Sequence, residues 1–94
     1  MSVEVRLPTL LRTAVGGRAA VSVEGSTIKS VLLNLQSSYP GIDGQVLTPE
    51  GSLHRFVNVY VNDDDVRYLE KLETRVSEGD TVSILPAVAG GALA

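Results

Sequence analysis

Apolar and polar residues alternate in several short segments of the chain, and this period of two is typical of half-buried β-strands. The predicted strands are 3–7, 19–23, 56–62 and 81–85. The glycine pair Gly16-Gly17 predicts a turn over residues 13–17, because glycine adopts a positive φ without steric cost. We therefore expect the first two strands to form a hairpin joined by a short glycine turn.

A helical period of apolar residues begins after the second predicted strand. The stripe at positions i, i+3, i+4 and i+7 consists of Ile28, Val31, Leu32 and Leu35. Ser26 or Thr27 is expected to cap the first turn, since a side-chain oxygen can accept hydrogen bonds from its unpaired N–H groups. Pro40-Gly41 predicts the end of the helix, because proline disfavours helical geometry in the preceding residue.

The remaining segments carry weaker signals. Residues 41–51 are rich in turn-forming residues and predict a loop with at most a short helical turn. A short edge segment is expected at 66–68, and a turn at 77–80. Between them, Leu69, Leu72 and Val76 are expected to add apolar contacts.

The order of elements is β-β-α-β-(short element)-β, which predicts an α+β domain with two layers. The fold that we expect is the β-grasp, or ubiquitin-like, fold. It has a mixed sheet of four to five strands, with one main helix packed across one face and the first and last strands side by side in the centre. We assign residues 1–86 to this domain and residues 87–94 to a flexible C-terminal tail.

Composition narrows the range of functions. The 94 residues carry a formal net charge of −3, which argues against binding to nucleic acid or to an anionic membrane. The chain contains no cysteine and one histidine, His54, so thiolate sites, iron–sulfur clusters and histidine-rich metal sites are excluded. The carboxylates of Asp63, Asp64 and Asp65 are interpreted as a solvated turn. We expect a cytoplasmic protein that is not an enzyme and binds neither a metal nor a cofactor.

The second half of the chain resembles the ThiS/MoaD family of ubiquitin-like sulfur carriers. The resemblance lies in the strand Leu53 to Asn62, the turn Glu78-Gly79-Asp80, and the ending Ile84-Leu85-Pro86-Ala87-Val88-Ala89-Gly90-Gly91. The correct distance between these motifs makes the match specific, whereas a glycine pair alone would be weak. Within the family, the chain is most similar to carriers for thiocarboxylate-dependent cysteine biosynthesis.

The resemblance implies that the functional group is the main-chain end at Gly90-Gly91. In this family, an E1-like enzyme uses ATP to adenylate the terminal glycine carboxylate, which becomes a thiocarboxylate and then donates sulfide. Gly91 would carry the sulfur here, and Gly90 would be its partner. Glycine suits a narrow adenylation site because it has no Cβ. The six residues from Pro86 to Gly91 reach up to about 20 Å when extended.

One feature departs from the family pattern, in which the active carrier ends at the second glycine. Here Ala92-Leu93-Ala94 follow Gly91, so its carbonyl belongs to an amide and cannot be adenylated. The chain is interpreted first as a precursor cleaved between Gly91 and Ala92, with a JAMM-type metallopeptidase as candidate partner. The alternatives are that the extension is foreign to the natural chain, or that this relative has lost sulfur transfer and kept the fold for binding.

A partner-docking patch is predicted on the sheet face opposite the valines of the third strand. Its candidates are Phe56, Tyr60, Leu85 and Val88. The expected partners are the E1-like enzyme and a sulfur-accepting biosynthetic enzyme, such as a PLP-dependent synthase, that makes cysteine or a related metabolite. The alternative function is a ubiquitin-like interaction or conjugation module without sulfur transfer.

Overall fold

The strands form where apolar residues alternate with a period of two, and the helix forms where they recur at helical spacing. The structure is a computed structural model that describes residues 2–42, 44–54 and 57–86. The strands are β1 (Ser2–Arg6), β2 (Ala20–Glu24), β3 (Val57–Val61), β4 (Asp64–Asp65) and β5 (Thr81–Pro86), and the helix α1 is Ile28–Ser38. Short 3-10 helices span Thr9–Val15, Pro40–Ile42, Val66–Tyr68 and Lys71–Glu73.

The strands form one mixed sheet in the order β2-β1-β5-β3-β4. β1 runs antiparallel to β2 and parallel to β5, with Val5 opposite Val21 on one side and Val82 on the other. β3 runs antiparallel to both β5 and β4. The predicted central pairing of the first and last strands is confirmed.

One face of the sheet is buried under α1. The strand residues that point to this face are buried, and so is the predicted helical stripe Ile28, Val31, Leu32 and Leu35. The inward-facing strand residues are Val3, Val5, Val21, Val23, Val59, Val61, Val82 and Ile84. Strands and helix thus share one core cluster, as the alternating and helical patterns predict.

The start of α1 is fixed by a reciprocal pair of hydrogen bonds. The Thr27 hydroxyl oxygen accepts from the Ser30 backbone N–H at 3.2 Å, and the Ser30 hydroxyl oxygen accepts from the Thr27 N–H at 3.0 Å. This is a capping box, and it selects Thr27 rather than Ser26 as the cap. The helix ends at Ser38, directly before Tyr39 and Pro40, as predicted.

The connection between β1 and β2 differs from the predicted short turn. The two strands do pair, but residues 7–19 join them through the 3-10 helix Thr9–Val15. Gly16 ends this helix with φ 73°, in the left-handed region where glycine is favoured. Leu7, Leu11 and Val15 are buried, so the segment contributes to the core instead of only reversing the chain.

The predicted loop over 41–51 also contributes to the core. Its start contains the short helical turn Pro40–Ile42, and its later part buries Val46 and Leu47. Backbone hydrogen bonds hold it, with the His54 N–H donating to the Val46 carbonyl at 2.7 Å. These apolar residues follow neither strand nor helical period, so the pattern gave no signal of their burial.

Three smaller predictions need correction. The edge strand is Asp64–Asp65, and residues 66–68 form a 3-10 helix instead. Leu69 is 44% exposed, whereas Val76 is buried and Leu72 partly buried as expected. Pro86 is the last residue of β5, so the strand is one residue longer than the predicted 81–85.

Proline lacks an N–H, and it is tolerated at position 86 because its nitrogen faces away from β3, the one strand that pairs with β5 there. The odd-numbered residues of β5 bond to β3, as Thr81 does with Asn62. The nitrogen of Pro86 therefore faces the side of β1, and the pairing with β1 has already ended at Ser83.

The topology is that of the β-grasp fold, with one main helix on a mixed five-stranded sheet, and this confirms the predicted fold class. Among the described residues, no helix combines the length and apolar character needed to cross a bilayer. The division into a domain at 1–86 and a tail at 87–94 stays a prediction, since residues 87–94 lie outside the described part of the chain.

Gly25, between β2 and α1, offers a test of this packing. A Cβ at this position would lie 2.6 Å from Val31 Cγ2 and 2.9 Å from Ser30 Oγ. We expect Gly25→Ala to lower the free energy of unfolding by about 1–3 kcal/mol, because the added methyl group forces the helix away from the strand. Urea denaturation measures this loss. The control Ser37→Ala, on the exposed side of α1, should change stability by less than about 0.5 kcal/mol.

Candidate functional site at the end of the central strand

β5 leads from the centre of the sheet towards the glycine pair. It is flanked by β1 and β3 up to Ser83, which lies opposite Arg6, the last residue of β1. Beyond this point, Leu85 and Pro86 pair with β3 alone, opposite Asn58 and Val57. Both Leu85 and Pro86 are exposed. The strand is thus anchored on both sides at its start and accessible at its end.

The face of the sheet that points away from α1 is called here the open face. Its side chains come from Ser2, Glu4, Arg6, Ala20, Ser22, Glu24, Asn58, Tyr60, Asp65, Thr81, Ser83 and Leu85. One row crosses all five strands in the order Ala20, Arg6, Ser83, Tyr60 and Asp65. The open face is mostly polar, and its large apolar side chains lie next to the end of β5.

Two of the four predicted docking residues are placed by the structure. Leu85 is 46% exposed, and Tyr60 is half-buried. Tyr60 is opposite Ser83, two residues before Leu85, so the two are diagonal neighbours on adjacent strands. The prediction that they share the open face is confirmed, whereas Phe56 and Val88 lie outside the described residues.

A charged cluster covers the outer edge of this patch. The Asp65 carboxylate accepts from the Arg67 backbone N–H at 2.9 Å and from its guanidinium at 3.2 Å. The same guanidinium donates to the Asn58 side-chain oxygen, and Asn58 lies opposite Leu85. Arg67 is therefore held on the open face next to the docking candidates.

The electrostatics of this cluster favour both charges. Desolvation acts to raise the pKa of Asp65, but hydrogen bonds from Arg67 and its positive charge outweigh this, so the pKa is lowered. The hydrogen bond to Asp65 and its negative charge raise the pKa of Arg67, with smaller contributions from Tyr68 and Tyr60.

Sequence reasoning missed Tyr68 and the role of Arg67. Tyr68 is 87% exposed and directly follows Arg67 at the sheet edge. An exposed aromatic beside an arginine is typical of the residues enriched at protein interfaces. The available signal was the tyrosine itself, but its position at the sheet edge follows from the pairing of β3 with β4.

Two open grooves border the β3–β5 pair, one on each side. One has a volume of about 510 Å³ and lies along β3, between Leu53, Val57 and Leu72. The other, of about 530 Å³, lies on the side of β1, between Arg6, Arg12 and Leu85. Both are open, so they offer surfaces for a protein rather than an enclosed site for a small molecule.

The described residues do not assemble a metal centre. No group of three or more His, Asp or Glu side chains within the described ranges could hold a metal ion. Asp65 pairs with Arg67 instead of joining Asp63 and Asp64 in a cation site. The sequence has no cysteine to act as a nucleophile.

The predicted chemistry lies beyond the described part of the chain. Gly90, Gly91 and Ala92, which define the sulfur-carrying end and the cleavage site, all fall within residues 87–94. What the structure shows is the strand that leads to them and the surface around its end.

Comparison with known proteins now adds to this geometry. A family model described as the ThiS family matches residues 5–91 of the chain. The chain belongs to the ThiS family. The match extends over the whole described sheet from Val5 onward and ends at Gly91, the second residue of the glycine pair.

Similar proteins cover this ThiS-family chain almost completely. The sulfur carrier protein CysO of Mycobacterium tuberculosis is 50% identical over 93 residues, which cover 97% of this chain and 100% of that protein. A chain of the Amycolatopsis orientalis BexX/CysO complex is 48% identical with a TM-score of 0.85, covering 95% and 99% of the two chains. The small archaeal modifier protein 1 of Methanosarcina acetivorans is 33% identical with a TM-score of 0.82, covering 96% of both chains.

These similarities support the two main expectations from the sequence. The recognition of the ThiS/MoaD type and the ubiquitin-like β-grasp fold are confirmed. The similar CysO protein is a carrier rather than an enzyme, in agreement with the non-enzymatic role expected for this ThiS-family chain.

The Asp65–Arg67 pair predicts a defined pH dependence of stability. The folded pKa of Asp65 lies below its ordinary value of 3.8, so its contribution is present above that value and is lost as the pH falls through the folded pKa. We expect Asp65→Asn to lower the urea midpoint of unfolding at pH 7, by less than Gly25→Ala does. In acid, the stability of this variant and that of the original chain should become equal. Asp64→Asn is the control, because Asp64 is the exposed neighbour of Asp65. An equal loss of stability in that variant would contradict the role assigned to the Asp65–Arg67 pair.

Proposed function

We propose that this chain is a sulfur carrier whose functional group is the main-chain carboxylate of Gly91. The observation that carries the proposal is the ThiS-family match over residues 5–91, which ends at the second glycine. The 50% identical relative is itself a sulfur carrier protein. The position of β5 supports the same conclusion, because a central, well-anchored strand precedes the glycine pair by only a few residues.

The first chemical step in this proposal is hydrolysis of the peptide bond between Gly91 and Ala92. Water adds to the Gly91 carbonyl carbon, the C–N bond breaks, and the free Gly91 carboxylate and the Ala92 amine are released. A JAMM-type metallopeptidase is the proposed catalyst. Without this cleavage Gly91 remains an amide, which cannot be adenylated, so the uncleaved chain is a stored form of the carrier.

Activation then needs ATP and a sulfide source, neither of which the carrier itself supplies. The Gly91 carboxylate attacks the α-phosphate of ATP on an E1-like enzyme, giving the acyl-adenylate and pyrophosphate. A sulfide equivalent displaces AMP and leaves the thiocarboxylate. The thiocarboxylate sulfur then adds to an electrophilic C=C carbon of the acceptor, and the neighbouring carbon takes up a proton. Hydrolysis of the resulting thioester leaves the thiol on the acceptor and restores the Gly91 carboxylate. ATP is thus a substrate of the activating enzyme and not a cofactor of this chain.

The open face is the proposed docking surface for these enzymes. Leu85 and Tyr60 supply exposed or half-buried apolar surface on this face, and Arg67 and the exposed Tyr68 lie at the sheet edge. Tyrosine and arginine are among the residues enriched at binding hot spots. We propose that Phe56 and Val88 extend the surface, with Val88 on the route to Gly91.

The proposed partners follow from the chemistry of each step. They are an E1-like adenylating enzyme, a sulfur-accepting enzyme such as a PLP-dependent synthase, and the metallopeptidase. A crystal structure of an Amycolatopsis orientalis BexX/CysO complex exists, so a similar carrier does form a complex with another protein. Cysteine or a related metabolite is the proposed product of the accepting enzyme.

The alternative function is a ubiquitin-like modifier that is joined to other proteins through the same glycine. The similarity to a small archaeal modifier protein favours this candidate. Mass spectrometry of lysine peptides from cells distinguishes the two functions. A modifier leaves its C-terminal residues on target lysines, whereas a carrier that only transfers sulfur does not.

Intact-mass measurement tests the carrier function directly. A chain ending at Gly91, incubated with the E1-like enzyme, ATP and sulfide, should gain the mass that results from replacing one oxygen atom with sulfur. The full 94-residue chain should keep its mass under the same conditions, because its Gly91 carbonyl is an amide. Adding the metallopeptidase should make the full chain reactive. No change in the shorter chain, while a control carrier is converted, would count against the proposal.

Leu85→Asp tests the docking surface. We expect the kcat/KM for adenylation of a chain ending at Gly91 to fall by a factor of about ten or more, since a charge replaces an apolar contact in the centre of the patch. Leu33→Asp is the matched control. Leu33 lies on α1, in the helix layer of the fold, and its exposed fraction of 45% matches the 46% of Leu85. Pyrophosphate release measures both rates, and equal rates would remove Leu85 from the docking surface.

A further inference from the structure

The groove on the β1 side of β5 exists because the two parallel strands end at different levels. β1 pairs with β5 only as far as Arg6 and Ser83, whereas β5 continues to Pro86. After Arg6 the chain turns away, and the Leu7 N–H bonds to the Ala19 carbonyl at 2.9 Å. The space between the end of β5 and the segment 7–12 is the groove of about 530 Å³.

The groove combines an apolar surface with two arginines. Leu7, Ile84, Leu85 and Pro86 provide the apolar part, and Arg6 and Arg12 provide the charge. Of these, Leu7 and Ile84 are buried in the core, so they form a rigid base. The exposed Leu85 belongs to both the groove and the open face, so the groove continues the docking surface towards β1.

Arg12 is held in place by a hydrogen bond to the backbone. It is partly buried, and its Nε–H donates to the Leu7 carbonyl at 3.1 Å. No carboxylate among the described residues forms an ion pair with it. Among the described residues, Arg6 forms an ion pair with Glu4 at 3.7 Å, and both side chains are more than half exposed, so an incoming carboxylate can compete for it.

The charge around the groove is opposite in sign to that of the chain as a whole. Residues 5–23 contain Arg6, Arg12 and Arg18 but no Asp or Glu, in a chain of net charge −3. Acidic residues gather at the other end of the sheet, where Glu24 is opposite Ser2 in the β1–β2 pair and the Glu78 carboxylate accepts from the Ser2 N–H. An acidic partner segment is therefore attracted to one end of the molecule and repelled from the other.

We propose that this groove binds an acidic segment of the protein that receives the glycine end, with a carboxylate between Arg6 and Arg12 and an apolar side chain against Leu85. The choice of an acidic peptide follows from the charge complementarity just described. Because Leu85 and Pro86 line the groove, the bound segment would lie at the base of the chain that leads to Gly91. The identity of the partner rests on the proposed carrier function, but the acidic preference of the groove does not.

The acidic preference can be tested without any partner enzyme. The probe is an end-blocked tetrapeptide, Leu-Asp-Glu-Leu, titrated to millimolar concentration into the 94-residue chain and followed by NMR. We expect shifts in the backbone amides of Leu7, Ala19 and Leu85 and in the Arg12 Nε–H signal. The neutral tetrapeptide Leu-Asn-Gln-Leu should give clearly smaller shifts. Equal shifts for the two peptides, or shifts confined to other surfaces, would overturn the proposal.

Arginine variants connect the groove to the partner. With a chain ending at Gly91, Arg12→Gln should raise the Kd for the E1-like enzyme about threefold to tenfold at low salt, and less at high salt, because exposed charge pairs are screened. Arg6→Gln should act in the same direction and serves if Arg12→Gln proves unstable. Arg75→Gln is the control, because Arg75 is exposed and lies outside the groove.

The two proposals fail in different ways. If Arg12→Gln and Arg75→Gln bind the enzyme equally well, the groove is not its docking site and this inference is wrong, whereas the carrier function stands on the mass shift. If the shorter chain is never converted to a thiocarboxylate, the carrier function fails, and the peptide titration still decides the preference of the groove.

Discussion

The parallel pairing of β1 with β5 holds the fold together, because it brings opposite ends of the described chain into the middle of one sheet. Val5 and Val82 lie opposite each other and are both fully buried. Closing such a long loop costs conformational entropy, which only a shared core can offset. The helix provides this core by covering the inner face, and the segments that join the strands add Leu11, Ile42 and Val46 around its margin.

The β1–β5 pairing also leaves the start of β5 well anchored and its end accessible. This accessible end leads to the part of the chain that carries the proposed chemistry. β5 is held by two strands over its first half and by one strand at its exposed end. A main-chain group that acts in another protein's active site needs a rigid base and a free approach, and the unequal lengths of β1 and β5 provide both. The short β1 leaves the groove at Arg12 open, while β3 keeps Leu85 on the open face.

Specificity in such a carrier comes from its surface, because its partners must recognise the folded body beside the end of the chain. The apolar patch around Leu85 and Tyr60 supplies contact area, the Asp65–Arg67 pair fixes one edge, and the unequal distribution of charge favours one orientation of approach. All three features surround the end of β5. A partner that recognises them together has the glycine pair within a few residues of its docking surface.

The sequence by itself determined the elements whose pattern is periodic: the helix stripe from Ile28 to Leu35, the inward valines of the strands, and the outward direction of Tyr60 and Leu85. Its motifs also identified the family, and they predict Gly90 and Gly91 as the functional end. The tertiary structure alone decided the burial of Val46 and Leu47, the 3-10 segment after β1, the placement of Arg67 beside Asn58, and the groove at Arg12. The physical reason is that periodicity records which face of one element is buried. Burial of irregular segments and contacts between distant side chains depend instead on how the elements pack in three dimensions, which the period of a single element does not record.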